Sequence, residues 1–360
     1  MVMKKPPQPA YFNFEESLLS QLANEYALAD TEMRFCPILL DGDNCTLIDV
    51  RSATSKKMVL ESSGEWLFLK QIPWYCDDTT MDFALEWQAL LADAGFVVPV
   101  VRARRSGERV LRTAGCRIVL FDYVWGTRYQ DREDQRAAAA AALGRLHSLE
   151  GPAQGPRGDA FEAALDHIQL AREVAGHAPS VAIALDQMQD LVNGWHDSAV
   201  HHGWHHLPQR AVHGDYSPWN LVYHDDGQVA AVLDFDNAHR GPVVRDLVEA
   251  LLTFCCVRYA HDSTSFAATP PTSLPQDQAR VMLRAYERER TLTSEERNCA
   301  ADAAGAVAVE LVCLGLIRGD YPAALVDQLV SWAADVRQDA ANLFCDGRLS
   351  ATAPTDGAAR

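Results

Sequence analysis

A chain of 360 residues that is 48% hydrophobic and 22% charged is long enough to bury two cores, so two lobes are expected rather than one. Its formal net charge of −17 argues against a sequence-independent nucleic-acid binder, which needs a basic surface, and favours small cations over anionic macromolecules as partners. The nine cysteines show no CxxC pairing and read as reduced core thiols of a cytoplasmic protein, and no apolar run approaches the ~20 residues that span a bilayer.

In "MVMKKPPQPA" no apolar core follows the lysines, so the N-terminus does not read as a signal peptide. Residues Phe14 to Ala29 predict a helix with Asn13 as N-cap. Lys57 to Glu61 and Glu65 to Gln71 alternate as strands around the turn "ESSGE". Asp78 to Ala94 predicts a helix capped by Asp78 or Thr79 and stopped by Gly95, with Phe83, Trp87, Leu90, Leu91 and Ala94 as its apolar stripe. "FVVPVVRAR" and "RIVLFDYV" read as further strands, and "TRYQDREDQR" as a polar link.

Beyond that link helices dominate: Gln135 to Leu149, Asp159 to Ala175, Ser180 to His201, Val244 to Tyr259, Gln276 to Arg288, Ser294 to Ile317 and Pro322 to Phe344. "AGAVAVELVCLGLI" is short for a membrane span, carries Glu310 and reads as a buried helix. The only strands expected in this half are "NLVY" and "VAAVL". The division is therefore a small mixed α/β lobe over 1–124, a larger helical lobe over 125–345 and a tail over 346–360, an α+β bilobal arrangement whose seam would hold the ligand.

The stretch "VHGDYSPWNLVYHDDGQVAAVLDFD" packs carboxylates, an amide and a histidine into what otherwise reads as strand. Asp-Gly between two apolar runs signals a hairpin. With Gly227 as its centre, Asn220 and Asp234 lie equally far along the two strands and become near neighbours, about 5 Å apart at Cα. An amide oxygen beside a carboxylate suits a hard cation such as Mg²⁺, whose shell is completed by substrate phosphates and water. Asp215 sits on the loop leading into the hairpin, kept out of helix by Pro218, where it can orient and deprotonate a hydroxyl without ligating the metal. Asp236 reads equally as a second ligand or a hydrogen-bonded loop residue, and Asp225 and Asp226 at the turn as solvated groups.

The 32 basic residues divide into 27 Arg and five Lys, namely Lys4, Lys5, Lys56, Lys57 and Lys70. In "WLFLK", Lys70 falls on the side of Trp66 and Phe68 and needs an anion there. Glu86 on the next helix is the expected partner.

"HGDYSPWN" followed by "VLDFD" resembles the signature of the aminoglycoside phosphotransferase and choline kinase family, the protein-kinase-like small-molecule kinases. The likeness extends to the Lys of "FLK", the Glu of "ALEWQALL", the hinge-like "VLFDYVWG", "ALGRLHSL" and "GPVVRDLVEAL". The resemblance implies a kinase-like fold and transfer of the γ-phosphoryl group of ATP, or GTP, to a hydroxyl of a small molecule. It makes Asp215 the catalytic base, Asn220 and Asp234 the Mg²⁺ ligands, and Lys70 a phosphate contact paired with Glu86. The hinge backbone at Asp122 and Val124 would take the adenine, while His213 and Asp246 support the catalytic loop. In place of a G-x-G-x-x-G loop stands "SATSKK", where Ser52, Thr54 and Ser55 would offer hydroxyls and amides to the phosphates.

The acceptor is not legible. The segment Asp159 to Asp197 is rich in acidic residues, with Arg172 as its strong base; this suits a cationic acceptor such as an aminoglycoside or amino alcohol, and equally suits the solvated faces of an acidic protein. "WHDSAVHHGWHH" spaces His201 and His205, and His202 and His206, for a zinc site on a helix, against which Gly203 and Pro208 argue that the helix ends there. A protein Ser/Thr kinase or a non-catalytic pseudokinase of the same fold are the alternative readings. Nothing points to nucleic acid, membrane or a particular oligomer.

Overall fold

The computed structural model describes residues 16–28, 34–36, 57–73, 75–113, 115–256 and 271–346. Contacts divide them into two compact units. The first comprises the described residues up to Gly158 with Gln209–Asp246 and Ala285–Arg290; the second comprises Asp159–Pro208, the described residues of Leu247–Arg284, and those from Thr291 onward. The first unit thus runs past the boundary expected at 124/125 and takes in the segment that carries Asp215, Asn220 and Asp234.

Its centre is an antiparallel sheet in the order β1-β2-β3-β5-β4, formed by β1 (Arg34–Cys36), β2 (Lys57–Ser62), β3 (Glu65–Gln71), β4 (Val110–Thr113) and β5 (Cys116–Asp122). The alternation read from the sequence sorts its side chains. Leu60, Leu67, Leu69, Ile118 and Leu120 face helix α1 (Glu16–Tyr26), which presents Leu18, Leu22 and Tyr26 at four-residue spacing. Val59, Phe68, Val119 and Phe121 lie on the opposite face with Met81 and Leu85 of α2 (Asp78–Asp93). Each such side chain, fully buried, contributes about 1.5–3 kcal/mol. The turn at Ser63–Gly64 joins Ser62 to its partner Glu65, and that register sets Lys57 directly opposite Lys70.

Several boundaries differ from the sequence reading. "FVVPVVRAR" is not a strand; it makes one isolated bridge, Val101 to Phe121, because Pro99 has no amide to continue a ladder. The strand beside β5 is instead β4, too short to show a period. The cap of α2 is Asp77, which accepts from the Thr80 amide, and Leu90 and Ala94 of the expected stripe are exposed.

Two small two-stranded sheets complete the unit with α3 (Glu133–Ser148). One pairs β6 (Gln209–Val212) with β9 (His239–Pro242), neither expected from sequence; the other pairs β7 (Leu221–Tyr223) with β8 (Val229–Val232). Strands of this length, one ending in Gly-Pro, carry almost no periodic signal.

In the second unit, α4 (Ala160–Ala175), α5 (Pro179–His201) and α9 (Val326–Asp346) pack around α8 (Ser294–Arg318). A capping box between Thr293 and Glu296 starts α8, and Gly319 ends it. Alone among the described residues, α8 is long and apolar enough to cross a membrane, and 89% of its apolar window is buried inside the protein. Helices α6 (Val243–Cys255) and α7 (Gln276–Glu289) contribute to both units.

Candidate active site

The loop after β6 is anchored before it reaches Asp215. Asp246, fully buried at the start of α6, accepts from the His213 amide at 2.5 Å and the Gly214 amide at 2.9 Å; His147 of α3 lies 3.3 Å from it through Nε2. Gly214 has φ 77°, and a Cβ there would stand 2.2 Å from the Asn237 carbonyl, so the position requires glycine. The His213 ring ties the two functional segments together. Its Nδ1 accepts from the Asp215 amide at 3.3 Å, which leaves a protonated Nε2 to donate to the Leu233 carbonyl at 2.8 Å, one residue before Asp234.

Burial acts to raise the Asp246 pKa, but its hydrogen bond from His147 and the charges of His147 and Arg245 outweigh this and hold it well below the usual carboxylate range. Burial, opposed by the Asp246 charge, lowers that of His213 and keeps the ring neutral. Both folded pKa values lie below the unfolded ones, so both contributions are complete above the unfolded values and fade on acidification. The unfolding midpoint should therefore fall between pH 7 and pH 5, where free histidine protonates, and fall less steeply in His213→Gln; an equal slope in the two proteins by calorimetry would contradict this. Asp246→Ala leaves two buried amides without an acceptor and should cost about 2–5 kcal/mol in denaturant titration.

Within 211–218 every residue except Asp215 is buried. Asp215 keeps exposed surface while its Oδ2 accepts from Asn220 Nδ2 at 2.9 Å; the same nitrogen reaches the Asp215 carbonyl at 2.8 Å. The Asn220 nitrogen is thus committed, and its oxygen is the atom left to meet a cation. Pro218 opens a 3-10 turn through Asn220, consistent with its expected role of keeping the loop out of α-helix.

The hairpin register differs by one residue from the sequence expectation. Gly227 at φ 83° closes a turn in which its amide reaches the His224 carbonyl and the His224 amide the Gln228 carbonyl, so the fold-back is centred on Asp226 and pairs Tyr223 with Val229; the irregularity at Val222/Tyr223 then restores one of the two residues by which this departs from a centre at Gly227. Leu221 consequently opposes Val232, and the Leu233 amide bonds to the Asn220 carbonyl at 2.8 Å, so Asn220 is paired with Leu233 rather than Asp234. Asp234 itself leaves the ladder at φ 65°, ψ 60°, a left-handed conformation uncommon for a residue other than glycine.

Asp234 meets two ammonium groups. Lys70 Nζ lies 2.5 Å from its Oδ1 and Lys57 Nζ 3.2 Å from its Oδ2; Lys70 also lies 2.6 Å from Asp236 Oδ1. Burial would raise the Asp234 pKa, but Lys57 and Lys70 hold it far below the usual range. For Asp236 burial and the neighbouring Asp234 charge win over Lys70, and its pKa is raised. Burial would lower that of Lys70, but the two carboxylates raise it, so the ammonium stays charged. The ion pair expected between Lys70 and Glu86 is not formed. The side of α2 toward this cluster carries Met81, Ala84, Leu85 and Gln88, spaced i, i+3, i+4, i+7, whereas Glu86 lies well around the helix and is exposed.

These groups line a cleft. Phe68, Phe121, Val222 and Leu233 give it apolar walls, and Asp122 and Val124 sit at its hinge side. The Asp122 amide is spent on the Val100 carbonyl at 2.9 Å and its carboxylate on Arg102, whereas the Val124 amide has no partner among the described residues. Ser52, Thr54 and Ser55 lie outside the described residues. The donor set fits Mg²⁺: hard carboxylate and amide oxygens, with Asp234 held ionised by cations that a metal would displace.

Lys57 was not singled out by the motif reading, although the tight hairpin turn and Lys70 together place it. In the other unit, Glu162, Asp166, Glu173, Asp186, Asp190 and Asp197 are exposed on α4 and α5, while Asp159 caps α4 and accepts from Trp204 Nε1 at 2.6 Å. Asp159 is thus a structural cap, and the other six carboxylates are open to solvent. Helix α5 stops at His201, with Gly203 at φ 94°, and this breaks the four-residue spacing of the histidines; among the described residues no group of three or more metal-ligating side chains forms.

A family model described as the phosphotransferase enzyme family matches residues 59–271, which include every candidate from Lys70 to Asp246. A homoserine kinase of Nitrobacter hamburgensis is 25% identical over 219 residues, 60% of this chain and 62% of that protein. The chain spans less than two thirds of the length of the curated relatives it matches. Among solved structures, a microcompartment-associated aminopropanol kinase aligns with a TM-score of 0.60 at 18% identity, over 92% of this chain and 98% of that one. The amicoumacin kinase hAmiN, in complex with AMP-PNP, Ca²⁺ and Ami, aligns with a TM-score of 0.62 at 15% identity, over 91% and 94%. At these identities the likeness shows the fold: the α+β, kinase-like fold, with an antiparallel N-terminal sheet and a larger helical C-terminal part, is as the sequence resemblance implied.

Proposed function

The chain belongs to the phosphotransferase enzyme family, and on that premise we propose that it transfers the γ-phosphoryl group of ATP or GTP to a hydroxyl of a small molecule. The observation that carries this reading is the His213 bridge. One buried ring ties the loop of Asp215 to the strand that delivers Asp234 into the Lys57–Lys70 cluster. A partly exposed carboxylate and a paired, cleft-lining carboxylate are thereby held in fixed register, as in-line transfer requires.

In this mechanism Asp215 accepts a hydrogen bond from the acceptor hydroxyl, aligns its oxygen on the phosphorus, and takes its proton as the new P–O bond forms and the bond to the β-phosphate bridging oxygen breaks. Asn220, bonded to Asp215 Oδ2, orients that carboxylate. Lys70 neutralises phosphate oxygens while keeping Asp236 as its second partner. The Val124 amide and the Asp122 carbonyl are the hinge groups offered to the base. Asp234 and the Asn220 oxygen would hold Mg²⁺, which supplies charge neutralisation at the phosphates when bound with the nucleotide.

The names of the relatives, homoserine, aminopropanol and amicoumacin kinases, direct the acceptor search to hydroxyls on amine-bearing molecules. A screen of ATP and GTP consumption against amino alcohols, homoserine, choline, aminoglycosides and sugars, with the product mapped by ³¹P NMR, tests the proposal. A phosphate monoester on one acceptor is the expected result. Nucleotide binding without turnover on any acceptor, or phosphorylation of protein alone, would overturn it.

A further inference from the structure

We propose that Lys57 is a second phosphate ligand of the cleft, a role that rests on the kinase reading above and adds a residue to it. Lys57 and Lys70 are direct cross-strand partners on one face of the sheet, and both ammonium groups end on the carboxylate of Asp234. Their positions are not equivalent. Lys70 has Asp236 in reserve at 2.6 Å, whereas Asp234 at 3.2 Å is the only carboxylate that Lys57 reaches among the described residues.

A divalent cation held by Asp234 would compete with both lysines for the one negative charge of that carboxylate. Lys70 then falls back on Asp236. Among the described residues Lys57 has nothing comparable, and with 9% of its surface exposed it cannot simply be rehydrated. A buried ammonium needs an anion, and the anion that arrives with the metal is the phosphate chain of the nucleotide. The site thereby exchanges a lysine–carboxylate pair for a lysine–phosphate pair, and Lys57 supplies a positive charge where this chain has neither a glycine-rich phosphate loop nor a glutamate on α2 facing Lys70. The choice of lysine fits: a compact point charge on a flexible stem can swing from Asp234 to a phosphate oxygen, which a planar guanidinium does less readily.

The test compares binding of Mg²⁺·AMP-PNP and of adenosine to the wild-type protein, Lys57→Met and Lys57→Arg by calorimetry. Lys57→Met should bind Mg²⁺·AMP-PNP about 10–100-fold more weakly while its affinity for adenosine stays within about twofold, and Lys57→Arg should recover part of the loss. Equal or tighter binding of Mg²⁺·AMP-PNP by Lys57→Met, as follows if Lys57 merely restrains Asp234, would overturn the assignment. Since the chain has five lysines, ¹³C-labelled lysine also reports on the unmutated protein. The Lys57 signal, identified through Lys57→Arg, should move with Mg²⁺·AMP-PNP and not with adenosine, and its failure to move would refute the role even if Lys57→Met does not fold. A wild-type protein that binds adenosine but no Mg²⁺·nucleotide would instead remove the kinase reading itself, a result distinct from normal wild-type binding that the variant retains.

Discussion

Asp215→Ala should lower kcat by about 10²–10⁴-fold while Mg²⁺·nucleotide affinity changes by less than about threefold. Asp215 is absent from the walls of the cleft and makes no pair with Lys57 or Lys70; its side chain is held instead by Asn220. Removing it therefore takes away the group proposed to touch the acceptor oxygen, and leaves the lysine–carboxylate cluster in place. The loop itself should hold, because its anchors are the His213 and Gly214 amides on Asp246 and the Tyr216 hydroxyl on the Ala139 carbonyl, none of which involves the Asp215 carboxylate. Single-turnover kinetics with a confirmed acceptor, beside calorimetry with Mg²⁺·AMP-PNP, separate the two effects. Normal turnover in the variant would remove Asp215 from the chemistry, and a large loss of nucleotide affinity with kcat unchanged would move it to the nucleotide side.

The parts of this site that were legible in the sequence are those where local spacing and physical necessity coincide. The alternation of "WLFLK" put Lys70 on the face of Phe68, and the demand of a buried ammonium for an anion was met, though by different residues. Glu86 lies at the edge of the apolar stripe expected for the next helix, but a helix sorts its faces by 100° per residue, and the face of α2 toward the lysines is filled by Met81, Ala84, Leu85 and Gln88. Counting from Gly227 sets the centre one residue late: the turn is centred on Asp226, which alone would displace the pairing by two, and the irregularity at Val222/Tyr223 restores one. Such a slip is invisible from composition because Leu233 and Asp234 both sit at the strand end. Lys57 was within reach of sequence reasoning: once "ESSGE" is a tight turn, residues whose numbers sum to 127 face each other, and Lys57 falls opposite Lys70. The β6–β9 pairing was not, since its strands are four residues each and are held by partners distant in the chain.

Asp234→Ala should produce a different pattern from Asp215→Ala, because Asp234 is the anion that two buried lysines share. In the ligand-free protein its loss leaves Lys57 without its carboxylate partner and Lys70 with Asp236 alone, so the folded state should lose about 3–5 kcal/mol and the unfolding midpoint should drop. In binding, the variant lacks the proposed anionic metal ligand, and Mg²⁺ should no longer strengthen nucleotide binding; the ratio of affinities with and without Mg²⁺ should collapse toward one while adenosine should still bind at the hinge. Asp234→Asn sharpens the comparison. It preserves the shape and one oxygen, so the cleft stays packed, but removes the charge that both ammonium groups need; it should share the loss of Mg²⁺ dependence with a smaller loss of stability. The two lysines, released from a carboxylate, also become better placed for phosphate, so metal-free nucleotide binding should be retained or strengthened in both variants. That combination follows only if the lysines and the metal compete for one carboxylate. An Asp234→Ala protein whose Mg²⁺·AMP-PNP affinity matches the wild type would show that the cation is held elsewhere, and with it the exchange of partners proposed for Lys57 would lose its cause.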